Sequence, residues 1–230
     1  MNDQNETAQL RFLEETATRL RQNGFTVEPI EDHHLPVCWE KGRLCRITGR
    51  GSVFYRREDA DTPQAEDALF RVEDIAAKTL EYMTAMEAAS QLKASGLDGD
   101  YRVLADFGDT VLAGHPTERG VQFVTWEWDF DREGVHHGHY FQDDYDAAKR
   151  DFATRSGLIQ TEQLFSPEQL TEIYRCCADS VDGEFFALTD KQEKVIHSVQ
   201  QQIEVCVPDL NERIRQQEEA LERVSQEQTM

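Results

Sequence analysis

The chain has 230 residues, of which 39% are hydrophobic and 30% charged, and its formal net charge is −21. This length allows one large domain or two small ones, and the spread of aromatic and branched aliphatic residues excludes a disordered chain. No run approaches the roughly 18 apolar residues that a membrane span requires, so we expect no membrane partner.

The N-terminal sequence and the cysteine content bear on localisation. The first residues, MNDQNETAQL, lack the basic and then apolar pattern of a secretory signal. The five cysteines are an odd number, which fits free thiols better than a disulfide framework. We therefore expect a cytoplasmic protein.

The negative charge is concentrated in the central and C-terminal parts of the chain. Residues 1–60 hold 10 acidic and 9 basic side chains, residues 61–160 hold 20 and 9, and residues 161–230 hold 15 and 6. A field of this sign repels nucleic acid and attracts basic protein surfaces. The alternative is that the charge serves only to keep the protein in solution.

The first part of the chain predicts a helix followed by a hairpin. Apolar residues at helical spacing predict a helix over residues 6–23, with Gly24 as its C-terminal cap. The segment VCWEKGRLCRI, residues 37–47, predicts a hairpin with Lys41 and Gly42 in a two-residue turn. The pairs that this turn implies are Glu40 with Arg43, Trp39 with Leu44, and Cys38 with Cys45.

This hairpin and a short strand predicted over residues 52–55 carry a cluster of basic residues, here called the basic island. Its members are Lys41, Arg43, Arg46, Arg50, Arg56 and Arg57. With Trp39, Phe54 and Tyr55 among them, the pattern is similar to a small nucleic-acid-binding surface. The alternative is an internal partner for the acidic remainder of the chain. We favour this alternative because the total charge repels nucleic acid, so direct nucleic-acid binding is not expected.

The middle of the chain predicts a long helix and two hairpins. Thr62 and Pro63 are typical of a helix start, and the broad apolar face after them predicts the central core helix, ending near Leu92. The elements expected next are a hairpin over residues 101–114 with Gly108-Asp109 in its turn, strands over residues 121–131 and 135–142, and a helix capped by Asp143 and ended by Gly157.

The strands on either side of residue 132 form the most sharply patterned hairpin. We predict a three-residue turn, Arg132-Glu133-Gly134, with the glycine in the left-handed conformation. The pairs on one face are then Phe130 with His136, Trp128 with Gly138, and Trp126 with Tyr140. In this register the aromatic rings share one face, and Gly138 leaves room for Trp128.

The opposite face of the same hairpin is a candidate metal site. It pairs Glu127 with His139 and Asp129 with His137. Two imidazoles and two carboxylates at this spacing can bind Zn²⁺, Mn²⁺ or Fe²⁺. The alternative is a solvated face of charge pairs that holds no metal. A register shift of one residue would reverse the two faces.

The last third of the chain predicts helices, and the pattern as a whole predicts an α+β fold. Ser166 to Gln169 and Thr189 to Gln192 are capping boxes, each followed by an apolar stripe. Few apolar residues lie in the final 20 or so residues, so we expect these to be loose. We predict antiparallel hairpins packed against helices in three parts: residues 1–98 with the basic hairpin, residues 99–160 with the other hairpins, and a helical region, residues 161–230.

The sequence contains no recognisable catalytic motif. The phosphate-binding, dinucleotide-binding, nucleophile-elbow and HExxH patterns are all missing. Paired carboxylates are too frequent in so acidic a chain to single out a site. We therefore predict no catalytic residue and no cofactor, with a divalent metal ion at the central hairpin as the alternative.

Several short segments carry a resemblance to known proteins. They are Gly49-Arg-Gly51, Leu92 to Leu97, Trp126-Glu-Trp-Asp-Phe130, Gly134-Val135, Gly138-His-Tyr140, Ala148-Lys149, and Asp151 to Ile159. Together they resemble a family of uncharacterised proteins carried on conjugative elements and related mobile DNA of gut Firmicutes, up to about Pro208. The resemblance implies an accessory protein of a mobile element inside a bacterial cell, and it transfers no functional residues.

The charge and this implied context lead to three functional hypotheses. The first is a non-catalytic protein-binding factor that occupies a basic surface of its partner. A more specific form of this hypothesis is a DNA-mimicking inhibitor of a host defence nuclease, either an anti-restriction or an anti-CRISPR protein. The residues expected on its acidic partner-binding surface are Asp131, Glu133, Asp143, Asp144 and Asp146. The second is a regulatory or scaffolding subunit of conjugative transfer machinery, docking through the helical C-terminal third. The third is a metal-dependent enzyme using the 127–139 hairpin.

Overall fold

The computed structural model describes residues 2–40, 42–182, 188–216 and 219. The chain divides into two compact units, Met1–Ile159 and Gln160–Met230. Within the described residues, the strands form two four-stranded antiparallel sheets, in the orders β1-β2-β3-β4 and β5-β6-β7-β8. The predicted α+β class is confirmed. Among the described residues, no helix is long and apolar enough to cross a membrane.

The first sheet packs against the first helix. Helix α1 is Asn2–Gln22, and the strands are β1 Thr26–Val27, β2 His34–Trp39, β3 Gly42–Thr48 and β4 Val53–Phe54. The helix ends because Gly24 adopts a φ of 85°, which lets the Phe25 amide donate to the Leu20 carbonyl at 3.0 Å. The buried face of α1 joins the inner faces of β2 and β3 in one apolar cluster.

The predicted register of the β2–β3 hairpin is wrong. The pairs are Trp39 with Gly42, Cys38 with Arg43, and Val37 with Cys45, in place of the expected Glu40–Arg43, Trp39–Leu44 and Cys38–Cys45. Glu40 has a φ of 52°, and the turn begins at this residue, one position earlier than expected. A bulge at Leu44, between the Val37–Cys45 and Cys38–Arg43 pairs, makes up only part of this shift, so the pairs beyond it also differ from the predicted ones.

Helix α2, Pro63–Ala88, runs along both sheets, as expected for a central helix. Thr62 caps it by accepting a hydrogen bond from the Ala65 amide at 3.2 Å, and Pro63 opens its first turn. Its N-terminal half belongs to the apolar cluster of the first sheet, and Tyr82 belongs to that of the second. The helix ends four residues before Leu92, whose amide instead bonds to the Tyr101 carbonyl at 2.7 Å.

The second sheet is a meander of four strands covered by a helix. Its strands are β5 Arg102–Phe107, β6 Thr110–Thr117, β7 Gly120–Trp128 and β8 Val135–Gln142, and its helix is α3 Tyr145–Arg155. The expected turn at Gly108-Asp109 is confirmed by the pairing of Phe107 with Thr110. The cap of α3 is Asp144, which accepts from the Ala147 amide at 2.9 Å, so the expectation for Asp143 is wrong.

The predicted register of the β7–β8 hairpin is also wrong. The pairs are Trp128–Val135, Glu127–His136, Thr125–His139, Val124–Tyr140 and Phe123–Gln142. Phe130 is fully exposed in the connecting loop, and the side chain that needs the space above Gly138 is Trp126, not Trp128. The loop, residues 129–134, is longer than expected, and in it Arg132, with a φ of 58°, reaches the β5–β6 hairpin. There its Nη2 donates to both carboxylate oxygens of Asp106 at 2.6 Å.

The second unit contains the helices α4 Pro167–Asp182 and α5 Asp190–Cys206, and residues 210–216 are helical as well. Ser166 and Gln169 exchange side-chain and backbone hydrogen bonds at the start of α4, and Thr189 and Gln192 do the same for α5, so both capping boxes are confirmed. The core of this unit is small, with Ile203, Val207 and Leu210 buried in it. The final segment, expected to be loose, is helical over residues 210–216, where Leu210 is buried; its remainder, apart from residue 219, lies outside the described residues.

Candidate functional site

Glu127 is the centre of a polar cluster on the β7–β8 hairpin. Arg155, from the end of α3, donates through Nη2 to Glu127 Oε1 at 2.9 Å, while His137 Nδ1 lies 3.0 Å from Oε2. These two contacts, with the arginine first, lower the pKa of the Glu127 carboxyl to about 2. Glu127 is therefore an ionised carboxylate with one oxygen committed to the guanidinium and the other facing histidine.

His136 and His137 both approach Glu127, although successive residues of a strand normally point to opposite faces. His137 has a φ of 48° at an irregularity in the β7–β8 ladder, and this local break turns both rings to the same side. The ring centroids are 4.5 Å apart, and one ligand atom from each of the three side chains lies within 4.8 Å of the others. Two imidazoles and a carboxylate therefore converge.

The four residues proposed from the sequence as metal ligands do not converge on one point. Glu127 and His137 are together, but His139 Nδ1 lies 2.9 Å from Asp151 Oδ1 on α3. Asp129 lies 3.8 Å from His136 Nε2, on the far side of that ring. The structure thus replaces a set of four by Glu127, His136 and His137.

Three members of this cluster were missed in the sequence: His136, Asp151 and Arg155. His136 was assigned to the aromatic face by the wrong register. Asp151 and Arg155 face the sheet one helical turn apart, and their i, i+4 spacing is a usable signal for a shared helix face. The sheet residue that these two side chains contact is Thr125, whose hydroxyl donates to Asp151 Oδ2. The helix sequence alone does not identify it.

The basic island is divided between a groove and its surroundings. Arg43, Arg46 and Arg56 line a groove of about 560 Å³ with the half-exposed rings of Phe54 and Tyr55. Two of these arginines already hold carboxylates, since Arg43 lies 2.5 Å from Glu28 and Arg56 lies 3.6 Å from Glu58. The remaining members are elsewhere: Arg50 precedes β4, Arg57 opens a short 3₁₀ helix, and Lys41 lies outside the described residues.

The acidic residues expected to form a partner-binding surface lie at the two ends of β8. Asp131 and Glu133 are in the loop before this strand, whereas Asp143, Asp144 and Asp146 follow it. An eight-residue strand separates the two groups by roughly 25 Å. All three members of the second group have structural roles. Asp143 lies 3.3 Å from Arg19, Asp144 caps α3, and Asp146 lies 2.7 Å from Lys78 and 3.3 Å from Lys149.

An apolar groove of about 480 Å³ lies between α4 and α5 in the second unit, here called the α4–α5 groove. Its apolar lining consists of Phe165, Ile173, Cys176, Cys177 and Ile196. Phe165 is half-exposed and Cys176 is exposed, so the groove opens to solvent. Glu172, also at the groove, has a side chain that is 57% exposed.

Comparison with known proteins identifies no relative. No protein-family model, no curated protein and no solved structure matches the chain.

Proposed function

We propose that this protein is a non-catalytic, acidic protein-binding factor whose second unit takes up a basic amphipathic helix of a partner protein. The observation that carries the proposal is the open apolar groove on an acidic helix pair. Residues 161–230 hold 15 acidic and 6 basic side chains. An amphipathic helix lays its apolar face into such a groove, and its charged face determines which grooves it can approach.

Charge complementarity selects a basic partner. Helix α4 carries four acidic residues, Glu168, Glu172, Asp179 and Asp182, and one basic residue, Arg175. The single basic residue, Arg175, lies 3.0 Å from Glu172 and is therefore paired within the helix itself. By helical spacing Asp179 lies about two turns from Glu172 on the same face as Cys176. A lysine-rich or arginine-rich helix gains attraction from Asp179 and from the net negative charge of α4, whereas an acidic helix is repelled.

The test is a titration of the full chain with a fluorescein-labelled amphipathic peptide of leucine and lysine, followed by fluorescence anisotropy at low and high salt. We expect saturable one-to-one binding that weakens at high salt but persists because of the apolar contact. Phe165→Ala and Cys176→Asp should each weaken it at least tenfold. Val205→Asp is the matched control, because Val205 is an 82% exposed apolar residue of α5 outside the groove lining.

The peptide with the same composition in scrambled order separates groove binding from attraction by charge alone. Equal affinity for both peptides, or no effect of Phe165→Ala and Cys176→Asp, would rule out the groove as the docking site. Thermal unfolding of each variant accompanies the titration, so that a loss of binding is attributed to the groove only in a folded protein.

The finer hypothesis is that the partner is a defence nuclease whose DNA-binding surface the protein occupies. Acidic side chains would then take the place of phosphates, and inhibition would fall steeply as salt rises. Cleavage assays with purified restriction and Cas nucleases, with this protein added in increasing amounts, test it. A scaffolding role in conjugative transfer instead predicts binding to a transfer protein without inhibition of cleavage.

A further inference from the structure

We infer that Glu127, His136 and His137 form a binding site for a divalent first-row transition-metal ion, with Zn²⁺ as the best fit. The site does not depend on the proposed partner binding. A carboxylate oxygen and two imidazole nitrogens are a donor set that zinc and its neighbours accept. In contrast to the four residues proposed from the sequence, these three residues have ligand atoms within 4.8 Å of one another.

The distances are close to those that a metal requires. Both Nδ1 atoms face Glu127 Oε2, at 3.0 Å for His137 and 3.8 Å for His136. With metal–ligand bonds of about 2.0–2.2 Å, neighbouring ligand atoms of a tetrahedral site lie roughly 3.3–3.5 Å apart. Small rotations of exposed side chains bring both distances into this range. On binding, the metal takes the place of the hydrogen between Glu127 and His137, and the neutral imidazole carries its single N–H on Nε2.

Arg155 positions the carboxylate and the strand. It holds Glu127 Oε1 at 2.9 Å, which leaves Oε2 toward the imidazoles, and it donates to the His137 carbonyl at 2.8 Å. Groups that hold the ligands of a metal in this way are a regular feature of metal sites. The local charge also favours a dication. Three carboxylates lie within 4 Å of His136 or of Arg155, those of Glu127, Asp129 and Asp151. Their negative charge exceeds the single positive charge of Arg155.

The site is open to solvent. The side chains of His136, His137 and Glu127 are 46%, 74% and 38% exposed. A bound ion would therefore keep at least one position for water or for an exchangeable ligand, and chelators would reach it. We expect reversible binding of a single ion, not a metal on which folding depends.

The experiment uses the full chain, purified without a polyhistidine tag and stripped of metal with EDTA. It is titrated with Zn²⁺ by isothermal calorimetry and with Co²⁺ by visible absorption, where nitrogen and oxygen ligands give a characteristic d–d band. We expect one ion per chain. His136→Ala, His137→Ala and Glu127→Gln should each lower the affinity at least tenfold and remove the Co²⁺ band.

His139→Ala is the matched control, because His139 lies on the same strand but bonds to Asp151. It should leave stoichiometry and affinity unchanged. Circular dichroism confirms that each variant is folded. Failure of the wild type to bind either ion would overturn the proposal, as would a His139→Ala effect as large as that of His137→Ala. Neither outcome bears on peptide binding by the second unit.

Discussion

Arg19 and Tyr82, 63 residues apart in the sequence, are joined by a hydrogen bond of 3.0 Å from Arg19 Nε to Tyr82 Oη. The guanidinium is also 2.8 Å from Glu15 Oε1, and its Nη2 donates to the Val121 carbonyl. Arg19 is only 5% exposed. One buried cation thus links α1 to α2 and to the first residues of β7, so it connects the helix that covers the first sheet with the second sheet.

Arg19→Ala should strongly destabilise the first unit. Glu15 and Tyr82 would remain in place without their cation, and removing one partner of a buried ion pair typically costs about 3–5 kcal/mol. The free energy of unfolding is measured by urea titration with circular dichroism. Arg21→Ala, in the same turn but exposed, is the control and should change it by no more than about 0.5 kcal/mol. Equal effects of the two changes would contradict the role given to Arg19.

Gly138→Ala should destabilise the β7–β8 hairpin. A Cβ at this position would lie 2.5 Å from Trp126 Nε1 and 2.9 Å from Cδ1, and Trp126 is a buried ring with little freedom to move. Forcing an added carbon into such a contact typically costs about 1–3 kcal/mol. Thermal unfolding and tryptophan emission report the change. Gly42→Ala, where a Cβ would meet no atom within 4 Å, should be close to neutral.

The ion pair of Glu127 and Arg155 should make stability depend on pH in the acid range. The pKa of Glu127 is about 2 in the folded protein against 4.5 for an unperturbed glutamate. Because the folded-state pKa is lower, the contribution is complete above about pH 4.5 and is lost as pH falls toward 2. The free energy of unfolding is measured by urea titration of wild type and Glu127→Gln between pH 3 and 7. The difference between the two proteins should be constant near pH 7 and should shrink as the pH approaches 3. A difference that grows on acidification would have the wrong sign.

The cysteines should differ widely in reactivity. Burial raises the pKa of the Cys45 thiol to about 12, and this residue is 3% exposed, whereas Cys176 and Cys206 are exposed. Since the thiolate is the reactive form, a disulfide reagent at pH 8 should modify Cys176 and Cys206 within minutes and Cys45 only when the protein unfolds. Mass spectrometry of peptides identifies the modified residues. Rapid labelling of Cys45 in the folded protein would contradict its position in the core.

Modification of Cys176 also gives an independent check on the α4–α5 groove. An adduct at this exposed thiol should obstruct the docking of an amphipathic peptide, because Cys176 lines the groove. The variant Cys176→Ser should remove the sensitivity to the reagent while keeping the affinity for the peptide. Cys206 is not part of the lining, so its modification should have no effect on binding.

Local sequence signals determined the elements of this fold. The Thr62 cap with Pro63, the turn at Gly108-Asp109, and the capping box of Thr189 and Gln192 each depend on atoms a few residues apart, and all three are present as predicted. Hydrophobic periodicity likewise identified α1 and the central helix α2. These features could be read from the chain because backbone capping and turn geometry require only neighbours along it.

The register of both misassigned hairpins, and with it the candidate site, was decided by tertiary structure. Glu40 and Arg132 adopt left-handed conformations, which glutamate and arginine do not favour and which the sequence therefore does not predict. Each lies in a turn that is displaced from its predicted position, and a displaced turn changes every residue pair beyond it. The metal-site residues show the consequence. Glu127 meets His136 and His137 because of a break in the ladder, and Arg155 reaches them only because α3 packs across the sheet. A side chain's partners in a sheet are fixed by contacts between distant segments, which short-range patterns do not contain.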